Sequence, residues 1–308
     1  MRKIFYTVFS ISQICFLLLY PQEALAASKE GMQLWLNVLL PVLLPFLILT
    51  GILIHTNMAG KLLQPVEVIW NKVLGVSAAG AYAVIVGALC GYPVGAKITS
   101  DLYENHQISE SEAKYLLTFT NHASPVFVRT YLCHICLKDQ IPARTVFGIF
   151  ALSDLTIMLL FRFVVYRNKI QFLSADKKKK TPVSSSSGAF LDVSIMNGFE
   201  TVTRLGGYIL MFSILSACIS HFWNMKNLIG YTLSGILELT TGLLQNANIH
   251  MQWKYLLTLF LTAFGGICIT FQTRSLVTRK LSMLPYITAK LLNGITTVLF
   301  ALFFSKII

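Results

Sequence analysis

Charge is scarce in this sequence. Asp, Glu, Lys and Arg make up 12% of its 308 residues, where a soluble domain carries about a quarter. Acid is the scarcer sign, with 13 acidic residues against 25 Lys and Arg. The charges gather in short stretches and leave apolar runs of roughly 20 residues, the length that crosses a bilayer as a helix. This excludes a soluble globular domain, and it removes nucleic acid as the meaning of the +12 net charge. In a membrane protein the surplus Lys and Arg mark cytoplasmic loops. Cysteine is sparse as well, and all six (Cys15, Cys90, Cys133, Cys136, Cys218, Cys268) fall in apolar runs. Buried Cys behaves as a small hydrophobe, so no disulfide framework is implied. Cys133-His134-Ile135-Cys136 has a metal-like spacing but no second pair at zinc-site distance, so neither a metal nor a cofactor is expected. A nucleotide cradle is lacking, and Ser124 near His122 makes no dyad by sequence alone; the chain is expected not to be an enzyme.

What the sequence does have is apolar segments, at 4–20, 32–54, 78–96, 115–137, 145–165, 205–222, 228–247, 254–271 and 286–305. Met1-Arg2-Lys3 ahead of Ile4 reads as the start of an uncleaved first span, with a signal peptide ending near Ala24-Leu25-Ala26 as the alternative. Residues 168–190, with Lys177 to Lys180 and Ser184 to Ser187, read as a basic cytoplasmic linker. The expected organisation is a first span and external segment over 1–31, one repeat over 32–167, the linker over 168–190 and a second repeat over 191–308.

Charge parity constrains the topology. Arg2 and Lys3 belong inside, and so does the linker, yet an odd number of apolar segments lies between them. One of them must turn back, and 78–96 and 115–137 are the suspects. The same count toward Arg274, Arg279 and Lys280 implicates 228–247 or 254–271. The halves then enter the membrane from opposite sides. The fold class predicted is an all-α polytopic membrane protein with two inverted repeats and broken or re-entrant helices.

The interruptions carry the functional signal. Gly87, Gly91 and Gly95 form a smooth helical stripe that Pro93 breaks and Lys97 closes. Such a break can offer open amides, or Lys97, to an anion; close helix packing and a snorkelling lysine are the plainer account. Thr118, Thr120, Asn121, His122 and Ser124 crowd polar groups ahead of Pro125. Backbone freed there must line protein or a watery cavity, because lipid cannot satisfy it. Arg129 is a costly cation unless paired or hydrated; it could hold a substrate carboxylate, neutralise Glu238, or equally sit at the membrane interface. Glu238-Leu-Thr240-Thr241-Gly242 is a candidate for coupling-ion binding or internal pairing, and Gly265-Gly266 with Gln272 a second flexible point. The candidate substrate-binding residues are therefore Pro93, Gly95, Lys97, Thr120, Asn121, Ser124, Arg129, Glu238, Thr241, Gly265, Gly266 and Gln272.

In their order these motifs resemble the family of sporulation integral membrane proteins typified by YlbJ (SpoVV), within the nucleoside-recognition Gate superfamily. The resemblance runs from about Pro21 to the C-terminus and includes Ala24 to Trp35, Pro41-Val-Leu-Leu-Pro45-Phe46 and Gly91-Tyr-Pro93-Val-Gly95-Ala-Lys97. It continues with Glu112, Phe119-Thr120-Asn121, Ser124-Pro125, Gly206-Gly207, Gly235 to Gly242, Gly265-Gly266 and Gln272. His122-Ala123 and Arg129 depart from the family pattern. The resemblance implies a transporter-like protein of spore-forming bacteria that moves dipicolinic acid across the outer forespore membrane. The expected partners are a small anionic solute, membrane lipid and a coupling ion, and no nucleic acid. Another anionic cargo, a nucleoside, or a non-transporting scaffold for spore-envelope assembly are the alternatives.

Overall fold

The computed structural model describes residues 2–167, 170, 189–223, 228–245 and 251–305. Most of the expected linker, 171–188, lies outside the described residues. Among the described residues every regular element is helical. The chain is an all-α polytopic membrane protein.

Helix α1 (Arg2–Leu19) is followed by α2 (Pro21–Leu34) and α3 (Leu40–His55), which a wide turn at Trp35–Leu39 joins into one run. Proline lacks an N–H and its ring crowds the carbonyl one turn back. The wide turn stands just ahead of Pro41 and takes up that crowding, so the helix continues instead of stopping. Short helices α4 (Met58–Leu63) and α5 (Glu67–Leu74) lead to α6 (Ala78–Cys90). Beyond a break come α7 (Val94–Glu104) and α8 (Glu110–Leu116). An irregular stretch and a loosely wound helix over Phe127–Cys136 precede α9 (Ala143–Leu160). The second half holds α10 (Ala189–Phe222), α11 (Leu228–Leu237), α12 (Leu239–Gln245), α13 (Met251–Phe264), α14 (Gly266–Leu276) and α15 (Leu284–Ser305).

Among the described residues five runs are long and apolar enough to cross a membrane: Pro21–His55, Ala143–Val165, Phe190–Phe222, Trp253–Leu276 and Leu284–Phe304. Met58–Leu74 and Ala78–Cys90 pass the same test only as a pair, bent by 77°, the form of a broken span or a re-entrant loop. The apolar segment expected at 205–222 is only the second part of α10. The first part carries Asp192, Asn197, Glu200 and Arg204, which dilute its hydropathy without stopping the helix.

Between membrane helices lipid supplies no hydrophobic drive, so close packing through small residues must hold them. The long run 21–55 packs along α10 in this way. Gly31 faces Ser213, Gly51 faces Ser194, and Gly206 lies under the Trp35 indole, whose Nε1 donates to Val202 O at 2.9 Å. Two apolar clusters result. One joins α3, α6, α7 and α8 to α10; the other joins the Phe127–Cys136 helix and α9 to α13 and α15.

Glu112 ties two helix starts together. Its N–H donates to Ser109 Oγ at 3.1 Å, capping α8. Its fully buried carboxylate accepts Ser77 N–H at 2.6 Å, next to the cap of α6, where Ser77 Oγ accepts Gly80 N–H at 3.1 Å. The start of α6 is thereby fixed against the helix that leads into the second interruption.

Candidate functional site

Each broken segment of the first half is closed by the other. α6 ends at Cys90, Pro93 stands at the start of α7, and the Tyr92–Pro93 peptide is cis. The amides around the break are taken internally: Tyr92 N–H donates to His122 O at 2.7 Å and Val94 N–H to Gly91 O at 3.0 Å. Gly87 and Gly95 lie directly beneath the Thr120 carbonyl, and Gly91, at φ +78°, passes Ser124 so closely that a methyl would stand 2.5 Å from its N. The glycine stripe thus receives the Thr120–Ser124 backbone. Thr120 Oγ1 donates back to Leu116 O at 2.9 Å. Ser124 Oγ accepts Phe127 N–H at 3.2 Å, so Ser124 caps the next helix ahead of Pro125.

A similar pairing occurs in the second half. Glu238 stands between α11 and α12, 4% exposed, and its carboxylate accepts Thr240 N–H at 3.2 Å and Thr240 Oγ1–H at 2.7 Å. Gly265 and Gly266 separate α13 from α14 with φ of +86° and +77°, values open to glycine without strain. A methyl on Gly266 would stand 2.9 Å from Ile236 O, so this break lies on a carbonyl in the last turn of α11, just ahead of the Glu238 interruption. Gln272 is buried on α14 and donates to Cys268 Sγ at 3.3 Å. Thr241 lies on α12, and its side chain is outside the described residues.

Asn121 is where the halves meet. It is 2% exposed; its Nδ2 donates to Thr273 Oγ1 and to Tyr286 Oη, both at 3.1 Å. Its backbone carbonyl accepts Lys290 Nζ at 3.1 Å. Lys290 lies 5.6 Å over the Tyr92 ring centroid and beside Gly265, where a methyl would stand 3.6 Å from its Cε. One buried polar group therefore gathers Tyr92, Asn121, Thr273, Tyr286, Lys290 and the Gly265 break.

The two cations expected at the site lie elsewhere. Lys97 turns toward α3 and α10, where its Nζ pairs with Asp101 at 2.5 Å in a shallow cleft with His55 and Asn197. Arg129 is exposed and pairs with Asp139 at 2.8 Å. Asp139 also takes a hydrogen bond from His134 at 2.6 Å. Those bonds, His134 first and Arg129 next, hold the Asp139 carboxyl below the usual carboxylate range.

Lys290 is the residue that reading the sequence passed over. A signal exists: Tyr286, Lys290, Asn293 and Thr297 recur at helical spacing in an otherwise apolar run. The lower part of that face is anchored on α9. Asn293 Nδ2 donates to Asp154 Oδ1 at 2.8 Å, and Thr297 Oγ1 donates to Ser153 Oγ at 2.9 Å.

Comparison with known proteins finds a relative in Bacillus subtilis (strain 168), the sporulation integral membrane protein YlbJ. The two are 25% identical over an alignment of 327 residues, which covers 93% of this chain and 79% of that protein. No family model matches the chain. No solved structure matches it.

Proposed function

We propose that the protein is a membrane transporter of a small anionic metabolite, and that the cargo is dipicolinic acid carried across the outer forespore membrane during sporulation. The observation that carries the reading is Asn121. It sits at an interruption of the first half and bonds to Thr273, Tyr286 and Lys290 of the second. Broken segments meeting between two halves around buried polar groups are the arrangement from which transporters build substrate sites. The pairing of Gly95 with the Thr120 carbonyl, and of Gly266 with the Ile236 carbonyl, supports two related halves. The buried ammonium of Lys290 favours an anion over a neutral nucleoside. The likeness to a sporulation membrane protein over most of the chain supports the cellular setting. A coupling ion is assigned to Glu238, and no chemical reaction is assigned to the chain.

Deleting the protein in its host and measuring dipicolinate in the spore against synthesis in the mother cell tests this reading. Spores should lack dipicolinate while synthesis continues. Normal loading rejects the cargo. Uptake of labelled dipicolinate and uridine into proteoliposomes then separates the acid from the nucleoside.

A further inference from the structure

Lys290 is held in the middle of the polar cluster with capacity left over. It is 3% exposed, in the first turns of a helix that crosses the membrane. An ammonium has three N–H donors. Among the described residues it has one hydrogen bond, to Asn121 O, and one ring face, that of Tyr92, and it forms no ion pair. The acid on α9, Asp154, acts on Lys290 through space and takes its hydrogen bond from Asn293. A buried cation is costly unless a counter-charge or hydrogen bonds offset it.

Two more groups beside it lack partners. Tyr92 Oη and Asn121 Oδ1 are buried, and neither has a hydrogen-bond partner among the described residues. Buried polar atoms are nearly always paired. Here the two orphan atoms belong to the two residues that touch one under-paired ammonium, through the Tyr92 ring face and the Asn121 carbonyl, and the three residues come from three different elements. Tyr92 belongs to the α6–α7 break, Asn121 to the irregular stretch after α8, and Lys290 to α15.

We propose that Lys290, Tyr92 and Asn121 are the contacts that bind the carboxylate of a small organic acid. The proposal rests on the transport reading above and moves the positive charge of the site from Lys97 and Arg129 to Lys290. The free N–H groups of Lys290 and the O–H of Tyr92 donate to the two carboxylate oxygens. Asn121 Oδ1 accepts from a water carried with the solute. Because each contact rides on a separate element, a bound acid bridges both halves, and parting the halves releases it.

The test is calorimetric titration of the purified full-length protein in detergent. The probes are dipicolinate and its neutral isostere pyridine-2,6-dicarboxamide. Wild type should bind the acid and not the diamide. Lys290→Met should weaken binding of the acid at least tenfold, Lys290→Arg should retain part of it, and Tyr92→Phe should weaken it several-fold. A folded Lys290→Met protein that binds dipicolinate like wild type overturns the proposal and leaves the transport reading standing. If Lys290→Met does not fold, Tyr92→Phe decides, since it removes only an orphan hydroxyl; unchanged affinity overturns the proposal. Equal binding of acid and diamide by wild type overturns it too. A wild type that transports dipicolinate without binding it at this site overturns the proposal alone, and one that neither binds nor transports dipicolinate overturns the assigned cargo and this site with it.

Discussion

The carbonyl of Thr120 rests on Gly95 with no space for a side chain between them. Gly95 is helical, and Gly→Ala at an open helical site gains up to about 1 kcal/mol. Here the obstacle is backbone, which cannot rotate away. Gly95→Ala is therefore expected to lose roughly 1–3 kcal/mol, as an overpacked core does. Gly148, on α9, has nothing within 4 Å of an added methyl. Gly148→Ala should be neutral or slightly stabilising. Thermal unfolding midpoints in detergent check the contrast. Equal midpoints for the two variants would mean that the glycine stripe is not a seat for the Thr120 strand.

Glu112 makes a second, graded test. Its carboxylate accepts Ser77 N–H at 2.6 Å from a fully buried position. Glu112→Gln keeps an amide oxygen in nearly the same place. Glu112→Ala leaves the Ser77 N–H without that partner, at a cost of about 1–3 kcal/mol. The expected order of unfolding midpoints is wild type, then Gln, then Ala. Ala matching or exceeding Gln would remove Glu112 as the tie between α6 and α8.

The Arg129–Asp139–His134 cluster predicts an acid-side dependence. Asp139 titrates below its ordinary range because His134 and Arg129 hydrogen-bond its charged form. A carboxylate with a depressed folded-state pKa contributes stability above its unfolded value, and that contribution is lost as pH falls through the folded pKa. The stability difference between wild type and Asp139→Asn should thus shrink as pH falls below about 4. Unfolding midpoints across that range measure it. A difference that stays constant into strong acid would show that the cluster does not shift Asp139.

The interruptions were legible because they are written in residues that cannot continue a helix. Pro93 lacks an N–H, Pro125 follows a capping serine, and Gly265-Gly266 sit at positive φ. Local chemistry decides each of these within a few residues. Pro41 shows the limit of that reading, since a wide turn at Trp35–Leu39 carries the helix past it. What was not legible is the pairing between distant segments. Nothing near Lys97 in sequence says that it faces α3 and α10 instead of Asn121. That depends on the rotation of α7, which Gly87, Gly95 and the Thr120 carbonyl set together. Lys290 was hidden for the same reason. It breaks no helix, and its depth follows from how Asn293 and Thr297 seat α15 on α9.

The bond between Asn121 and Tyr286 tests whether the halves are joined where the site is placed. Nδ2 of Asn121 reaches Tyr286 Oη at 3.1 Å and Thr273 Oγ1 at the same distance. Tyr286→Phe removes one acceptor, and Asn121→Ala removes the donor for both. If the pair interacts, the double variant must lose less stability than the sum of the singles, by about 0.5–3 kcal/mol. Additive losses would place the two groups out of contact. Transport gives the second readout. Asn121→Ala leaves Lys290 without the positioned carbonyl strand that Asn121 now anchors, so uptake of dipicolinate should fall steeply even in protein that remains folded. A scaffold has no such requirement: a folded Asn121→Ala variant that still yields fully loaded spores would favour assembly over transport as the role of this chain.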